Sequence, residues 1–267
     1  MVDFDLTQAA SAAQFDRQND RYGKSHILAD TSDVEAALTE VISPPEGHAL
    51  DVATGGGHTA LALARMGWQV TAGDVSSKML ENARRLLADE GFALEAQLFP
   101  AEAIPFADDS FDLVTVRLAP HHFSSPEKFV AEVARVLKPG GHFLLIDGTV
   151  PNHDPETEAW LHQVEKWRDP SHGRFLSCAD WEELMHKNKL TIFSSTLQEK
   201  KQPDLEWYFE TAATTLENRE RVLEAIRTIP IAVRAALRLT QEDGKIIWWW
   251  PIIHLIAQKI TQQSPML

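Results

Sequence analysis

Between residues 48 and 147, short apolar runs alternate with stretches whose apolar residues recur at helical spacing. Residues 48–53 (HALDVA) predict a strand. Residues 59–66 predict a helix closed by Gly67, at the position after the last turn where glycine accepts a left-handed backbone. Residues 68–73 read as a second strand. Ser76 stands where a hydroxyl caps a helix, and Met79, Leu80, Ala83, Leu86 and Leu87 then keep helical spacing as far as Glu90. Third and fourth strands are expected at 92–99 and 111–118, the latter rich in Val and Thr. Ser125-Pro126 opens a helix with Phe129, Val130, Val133, Val136 and Leu137 on its apolar face, ending at Lys138-Pro139-Gly140-Gly141. Residues 142–146 are apolar without alternation, as in a strand covered on both faces. This alternation predicts an α/β fold, a doubly wound Rossmann-like sheet.

The flanks are patterned differently. Residues 1–45 are polar and helical in spacing and end at Ser43-Pro44-Pro45, so an N-terminal helical cap is expected before a core at 46–150. Residues 151–267 are expected to add helical insertions and closing strands to the same domain. Helices are predicted at 159–167 and 177–188, a strand at 190–200, two helices within 204–239, and a Trp-rich strand at about 245–256.

Composition then narrows the function classes. With 267 residues the chain can bury a sizeable core. A formal charge of -14 disfavours phosphate backbones and anionic lipid as partners. Cys178 is the single cysteine, so neither an intramolecular disulfide nor a thiolate metal cluster can form. The stretch MVDFDLTQ has no basic patch or apolar run, so no secretory signal is expected and a cytoplasmic location is the default. The apolar stretch at 246–257 contains Pro251 and His254, and is too short and broken to span a bilayer.

The stretch LDVATGGGHTA joins the first strand to the first core helix. A strand running into a glycine-rich turn and a helix presents bare backbone to a ligand at the carboxyl edge of the sheet. Gly55, Gly57 and Ala60 fit G-x-G-x-x-A. Asp74 falls at the end of the second strand, where a carboxylate accepts hydrogen bonds from ribose hydroxyls. A nucleoside-containing cofactor fits this pattern, and a glycine turn made only for tight packing is the plainer alternative. Nicotinamide dinucleotides and S-adenosylmethionine both use this edge. The Tyr-x-x-x-Lys of short-chain dehydrogenases is absent, because neither Tyr22 nor Tyr208 has a lysine four residues on.

Taken together, LDVATGGG, AGDVSSKML, AEAIPFADDSFDLV and EVARVLKPGGHFLLID resemble the class I S-adenosylmethionine-dependent methyltransferases, in the branch that includes the ubiquinone and menaquinone biosynthesis enzymes. The early YGKSH, the RDPSH segment and the closing apolar strand extend the resemblance to an uncharacterised bacterial small-molecule methyltransferase group. The resemblance implies a seven-stranded, mostly parallel sheet with an antiparallel last strand, S-adenosyl-L-methionine as cofactor, and a small-molecule methyl acceptor. It places Ala53, Gly55 and Gly57 against the methionine part of the cofactor, with Asp51 helping to position the ammonium group. Asp74 falls on the ribose diol, Val75 and Met79 beside the adenine, and Ala101 and Glu102 on its edge. Arg117 and Leu118 fall where family members close over the sulfonium. Two departures stand out: Ala53 replaces the first glycine of the common pattern, and Pro100 replaces an acid often found before the alanine. A nicotinamide-dependent oxidoreductase and a cofactor-binding protein without catalysis remain as rivals.

A sulfonium methyl is already activated, so the protein has to align a nucleophile and exclude water, adding a base only where the nucleophile keeps its proton. His121 and His122, just past the fourth strand, are the candidates for that base or for orienting the substrate; fixing the turn into the next helix is their structural alternative. A metal site is not expected, since adjacent side chains diverge and no carboxylate stands at ligand spacing. Tyr22, Ser25 and His26 are candidates for a lid. Arg168, Asp169, His172 and Arg174 gather donors and charge in one loop, and two arginines there would suit an anionic or phenolate-like substrate. Trp160, Trp167 and Trp181 either wall an apolar pocket or belong to the core.

Overall fold

In the computed structural model, residues 5–22, 29–41, 47–202 and 204–261 are described; for 18–22, 40 and 41 this covers the backbone alone. Four parallel strands follow one another as the alternation requires: β1 (His48–Val52), β2 (Gln69–Asp74), β3 (Glu95–Leu98) and β4 (Phe111–Arg117). β5 (Leu137–Gly148) continues the parallel set. β6 (Leu190–Lys201) and β9 (Trp249–Lys259) complete a seven-stranded sheet of order β3-β2-β1-β4-β5-β9-β6. β9 is antiparallel to both of its neighbours. The order reverses at β1, whose partners are β2 on one side and β4 on the other, so the ends of β1 and β4 diverge around a crevice.

Most core helices start where a short polar side chain takes up an orphan N–H. α3 (His58–Arg65) follows the glycine turn, and α4 (Ser77–Asp89) is capped by Ser76, whose Oγ accepts the Met79 N–H. α5 (Pro126–Val136) is capped by Ser125 with proline in the first turn. Asp154 caps α6 (Pro155–Arg168), and a reciprocal Ser177–Asp180 box opens α7 (Cys178–Lys187). α5 and α7 bury Phe129, Val133, Trp181 and Met185 against one face of the sheet. α2 (Ser32–Val41), α3 and α4 cover the other with Val34, Leu38, Leu63 and Leu87. A third cluster joins α6 to α8 (Leu205–Thr211), α9 (Leu216–Arg227) and α10 (Ile231–Ala236) around Tyr208, Val222 and Trp248.

α1 (Leu6–Tyr22) lies across the carboxyl edge of the sheet. Its buried side chains are Ser11 and Gln14; among its described residues none of the apolar side chains is buried, and Leu6 is almost fully exposed. Polar contacts hold it instead: Ser76 Oγ donates to Asp16, Lys78 reaches the Asp16 carbonyl, and Gln8 donates to Glu102.

Several elements differ from the sequence-based expectation. β3 begins at Glu95 rather than 92, because the Phe92 N–H closes the end of α4 on the Leu87 carbonyl instead of joining the sheet. β5 begins at Leu137, since Lys138-Pro139-Gly140-Gly141 is an irregularity within the strand, opposite the shift in register between Phe111 and Leu113. Three helices occupy 205–236 in place of two, with Pro230 separating α9 from α10. The Trp-rich segment is two strands. β8 (Lys245–Ile247) turns back on β7 (Thr240–Glu242) through Asp243-Gly244, both at positive φ, and β9 starts only after the buried Trp248. No helix among the described residues is long and apolar enough to cross a membrane.

Gly57 shows why the loop is so rich in glycine. Its φ is +90°, and a Cβ there would stand 2.7 Å from the Ala83 Cα of α4. Gly57→Ala is therefore expected to lower the free energy of unfolding by about 2–4 kcal/mol, from left-handed strain plus overpacking. Urea unfolding of the variant beside wild type checks this.

Candidate active site

A cavity of about 920 Å³ opens where β1, β2 and β4 end. Ala53, Thr54 and Gly55 form its floor after β1. Asp74 and Val75 enter from β2 with Met79 below them. Phe99, Ala101 and Glu102 form the wall after β3, and Arg117 and Leu118 the wall after β4, while Gln8, Ser11 and Phe15 of α1 cover it. Ala53, Gly55 and Leu118 all have positive φ, so the backbone bends sharply at the ends of two adjacent strands. A side chain on Gly55 would meet nothing within 4 Å: its φ of +53°, not crowding, calls for glycine, and the bare peptide faces open space.

Asp74 is 6% exposed, with Oδ2 accepting the Gly55 N–H and Oδ1 the Ser76 N–H, each at 2.9 Å. One backbone donor per oxygen leaves lone pairs for a further pair of hydroxyl donors. Burial pushes its carboxyl up to about 6, against the pull of those N–H groups.

Asp51 departs from the role the resemblance implied. It is 1% exposed and does not line the cavity; its oxygens accept the hydroxyls of Thr54 (2.6 Å) and Thr115 (2.7 Å). It acts through Thr54, which does line the cavity. Burial raises the Asp51 carboxyl to about 6 as well, opposed by the two hydroxyls. Gly57 likewise stands outside the lining, packed on α4. Glu102 lines the cavity but is occupied: Oε1 accepts the Ser124 and Ser125 N–H groups and Oε2 the Gln8 amide. The Arg117 guanidinium turns to α2, pairing with Asp33 at 2.9 Å.

Sequence reasoning missed His58, Phe99 and Phe15. His58 lines the cavity at the first position of α3, its Nε2 buried without a hydrogen-bond partner among the described residues. Its place beside the glycine run was the available signal. Phe15 had none, since only the packing of α1 brings it there.

A second chamber of about 770 Å³ adjoins the first and shares Phe15, Leu118 and His122 with it. Its apolar walls include Phe175, Trp207, Trp250 and Ile252; its polar lining includes His121, Glu165, Arg168 and Asp169. The 3-10 turn Pro120–His122 carries both histidines, their ring centroids 4.2 Å apart. His121 Nδ1 lies 2.7 Å from Asp147 Oδ1 on β5. Burial opposes a charge on His121, but Asp147, with Glu165 and Asp169 farther off, raises its pKa above the ordinary value. His122 is bonded through Nδ1 to the Ser171 carbonyl at 3.1 Å; burial, then the neighbouring His121, lower its pKa and keep it neutral.

The other expected substrate residues are dispersed. Arg168 lines the chamber. His172 is buried behind it, stacked on Phe175, and Arg174 is exposed; neither contributes to the lining. Burial and the surrounding histidines push the His172 pKa down. The Tyr22 side chain, Ser25 and His26 lie outside the described residues. Trp181 belongs to the core, and Trp160 and Trp167 pack on the third cluster.

This sheet order, with a glycine-turn cavity at the reversal point and an acid at the end of β2, defines a class I S-adenosylmethionine-dependent methyltransferase. The methyltransferase domain family matches residues 50–145. The uncharacterized methyltransferase YcgJ of Bacillus subtilis is 36% identical over 177 residues, covering 66% of this chain and 70% of that protein. The ubiquinone/menaquinone biosynthesis C-methyltransferase UbiE of Geotalea daltonii is 35% identical over 120 residues, 43% of this chain and 51% of that one. A candidate methyltransferase from Bacillus halodurans, BH2331, superposes with a TM-score of 0.81 at 31% identity over 86% of this chain and all of its own. The chain belongs to this methyltransferase family, related to the UbiE branch, and its cofactor is S-adenosylmethionine. The oxidoreductase alternative finds no support.

The Asp74 environment carries a pH signature. An acid titrating near 6 when folded and near 3.8 when unfolded adds stability below about pH 4, which is lost as pH rises through 6. Relative to Asp74→Asn, the wild-type protein should lose up to about 3 kcal/mol of unfolding free energy between pH 4 and 7. Paired urea curves at the two pH values measure it; a difference that stays constant would remove this account.

Proposed function

We propose that this enzyme transfers the methyl group of S-adenosylmethionine to a small-molecule acceptor seated in the second chamber, with His121 as the proton acceptor. When bound, the cofactor supplies an electrophilic methyl group on a sulfonium. The first cavity suits it. Asp74 takes the ribose hydroxyls through its remaining lone pairs, Val75 and Met79 flank the adenine, and the bare backbone from Ala53 to Gly55 receives the methionine end. The unpartnered His58 Nε2 offers a hydrogen bond to the polar methionine group. Asp51 contributes by holding Thr54, and Glu102 by tying α1 across the opening.

The observation that carries the acceptor side is the His121–Asp147 pair. Asp147 fixes the ring through Nδ1, so the opposite nitrogen, Nε2, is left for the acceptor's proton; the same arrangement stabilises the imidazolium that results. Neutral His122 and Leu118, on the wall common to both chambers, set the approach between them. Phe15 lines both chambers and stands at their junction.

Labelled-methyl incorporation into a metabolite extract tests this. His121→Gln should lower the rate about 100-fold or more while S-adenosylhomocysteine affinity stays within about twofold. The wild-type rate should rise with pH through a value above 6.5, because the base works when neutral and Asp147 raises its pKa; Asp147→Asn should move that rise to lower pH. Asp74→Ala should weaken S-adenosylhomocysteine binding at least tenfold, about 1.4 kcal/mol, by calorimetry. No labelled product from wild type across broad extracts, with the cofactor bound, would leave a binding protein without catalysis.

A further inference from the structure

Charge in the second chamber is unevenly distributed. Arg168, the cation expected to attract an anionic acceptor, is committed elsewhere. Its NH1 pairs with Glu165 at 3.1 Å, its Nε donates to the Tyr208 carbonyl and its NH2 to the Thr211 hydroxyl, and the guanidinium lies over the Tyr208 and Trp250 rings. Glu165 is in turn held by the Tyr208 hydroxyl at 2.8 Å, so Glu165 and Arg168 form a neutral pair that latches α8 to α6. Arg174 is exposed and outside the lining. Protonated His121 is balanced by Asp147. One lining carboxylate is left without such a balance.

That carboxylate is Asp169, 3% exposed. Its Oδ1 accepts both the N–H (2.9 Å) and the O–H (2.6 Å) of Ser171, whereas Oδ2 has no hydrogen-bond partner among the described residues. Burial works against its ionisation, but the two Ser171 donors and the field of Arg168 hold it below the usual carboxylate range. A buried carboxylate oxygen open to a cavity requires a donor from the ligand. The same chamber is lined by the aromatic side chains of Phe15, Phe175, Trp207 and Trp250. Aromatic walls with a carboxylate are the chemistry that selects an organic cation over an anion of the same shape.

We infer that the acceptor is an amine: an aryl or alkyl ammonium ion whose N–H groups meet Asp169 Oδ2 while its carbon frame packs against Trp207, Trp250 and Phe175. This deepens the acceptor-chamber reading and rests on it. Before such a nitrogen can be methylated, one N–H bond breaks, the electron pair stays on nitrogen and the proton passes to His121 Nε2. His121 and Asp169 line the same chamber, so anchoring and deprotonation belong to one site.

The test uses three probes of nearly equal shape, 2-phenylethylamine, 2-phenylethanol and phenylacetate. Each is titrated into the full chain with and without saturating S-adenosylhomocysteine, by calorimetry at pH 7. The amine should bind at least tenfold more tightly than either analogue. Asp169→Asn should remove that preference while leaving phenylethanol affinity, S-adenosylhomocysteine affinity and the circular dichroism spectrum unchanged; should this variant fail to fold, Ser171→Ala, which removes the hydroxyl donor to the anchor and keeps the N–H, should alter amine affinity alone. Binding of phenylacetate or the alcohol as tight as that of the amine, or no saturable binding of the amine, overturns the inference. Failure of S-adenosylhomocysteine itself to bind would instead strike the reading of the first cavity, which the probe preference in the free protein does not depend on.

Discussion

The peptide N–H of Gly55 and the carboxylate of Asp74, 2.9 Å apart, join the loop after β1 to the tip of β2. The bond requires a left-handed backbone at residue 55 and a nearly dry carboxylate, two conditions that are each unfavourable alone. They are sustained because the parallel register of β1 with β2 places Val52 beside Gly73 and brings the two ends together. With the loop pinned in this way, α3 starts at a fixed angle, Gly57 seats against α4, and the cavity floor becomes bare peptide. The first cavity is therefore a product of strand register as much as of any side chain.

Around that floor the molecule separates two kinds of polar burial. Asp51, shut in by Thr54 and Thr115, borders no cavity and rigidifies the loop from behind. Asp74 and Asp169 are buried with accepting capacity to spare, and each borders a cavity. The first group is scaffold and the second is receptive. His121 and His122 show the same division within one turn: the former keeps a ring nitrogen for the chamber, and the latter is spent on the Ser171 carbonyl.

The core alternation was legible because each strand and helix there announces itself within a dozen residues, by period, cap and terminating glycine or proline. The glycine turn with Asp74 was legible for the same reason, as a local spacing. What escaped was set by distant partners. Thr115, 64 residues from Asp51, turns that carboxylate away from the cavity. Tyr208, 40 residues beyond Arg168, helps to neutralise what sequence alone presented as a free cation. The Trp-rich segment looked like one strand because its apolar residues run on without a break, and only the pairing of β7 with β8 divides it.

The N-terminal helix lies over the first cavity; among its described side chains no apolar one is buried, and amide, hydroxyl and carboxylate contacts fasten it. Such contacts are individually weak, since water replaces them at little net loss. The apolar clusters on the two faces of the sheet include no residue of this helix, so its contacts can be broken without opening the core. Cover and core are thereby decoupled: the helix over the first cavity is held by polar bonds, and the sheet beneath it by apolar packing.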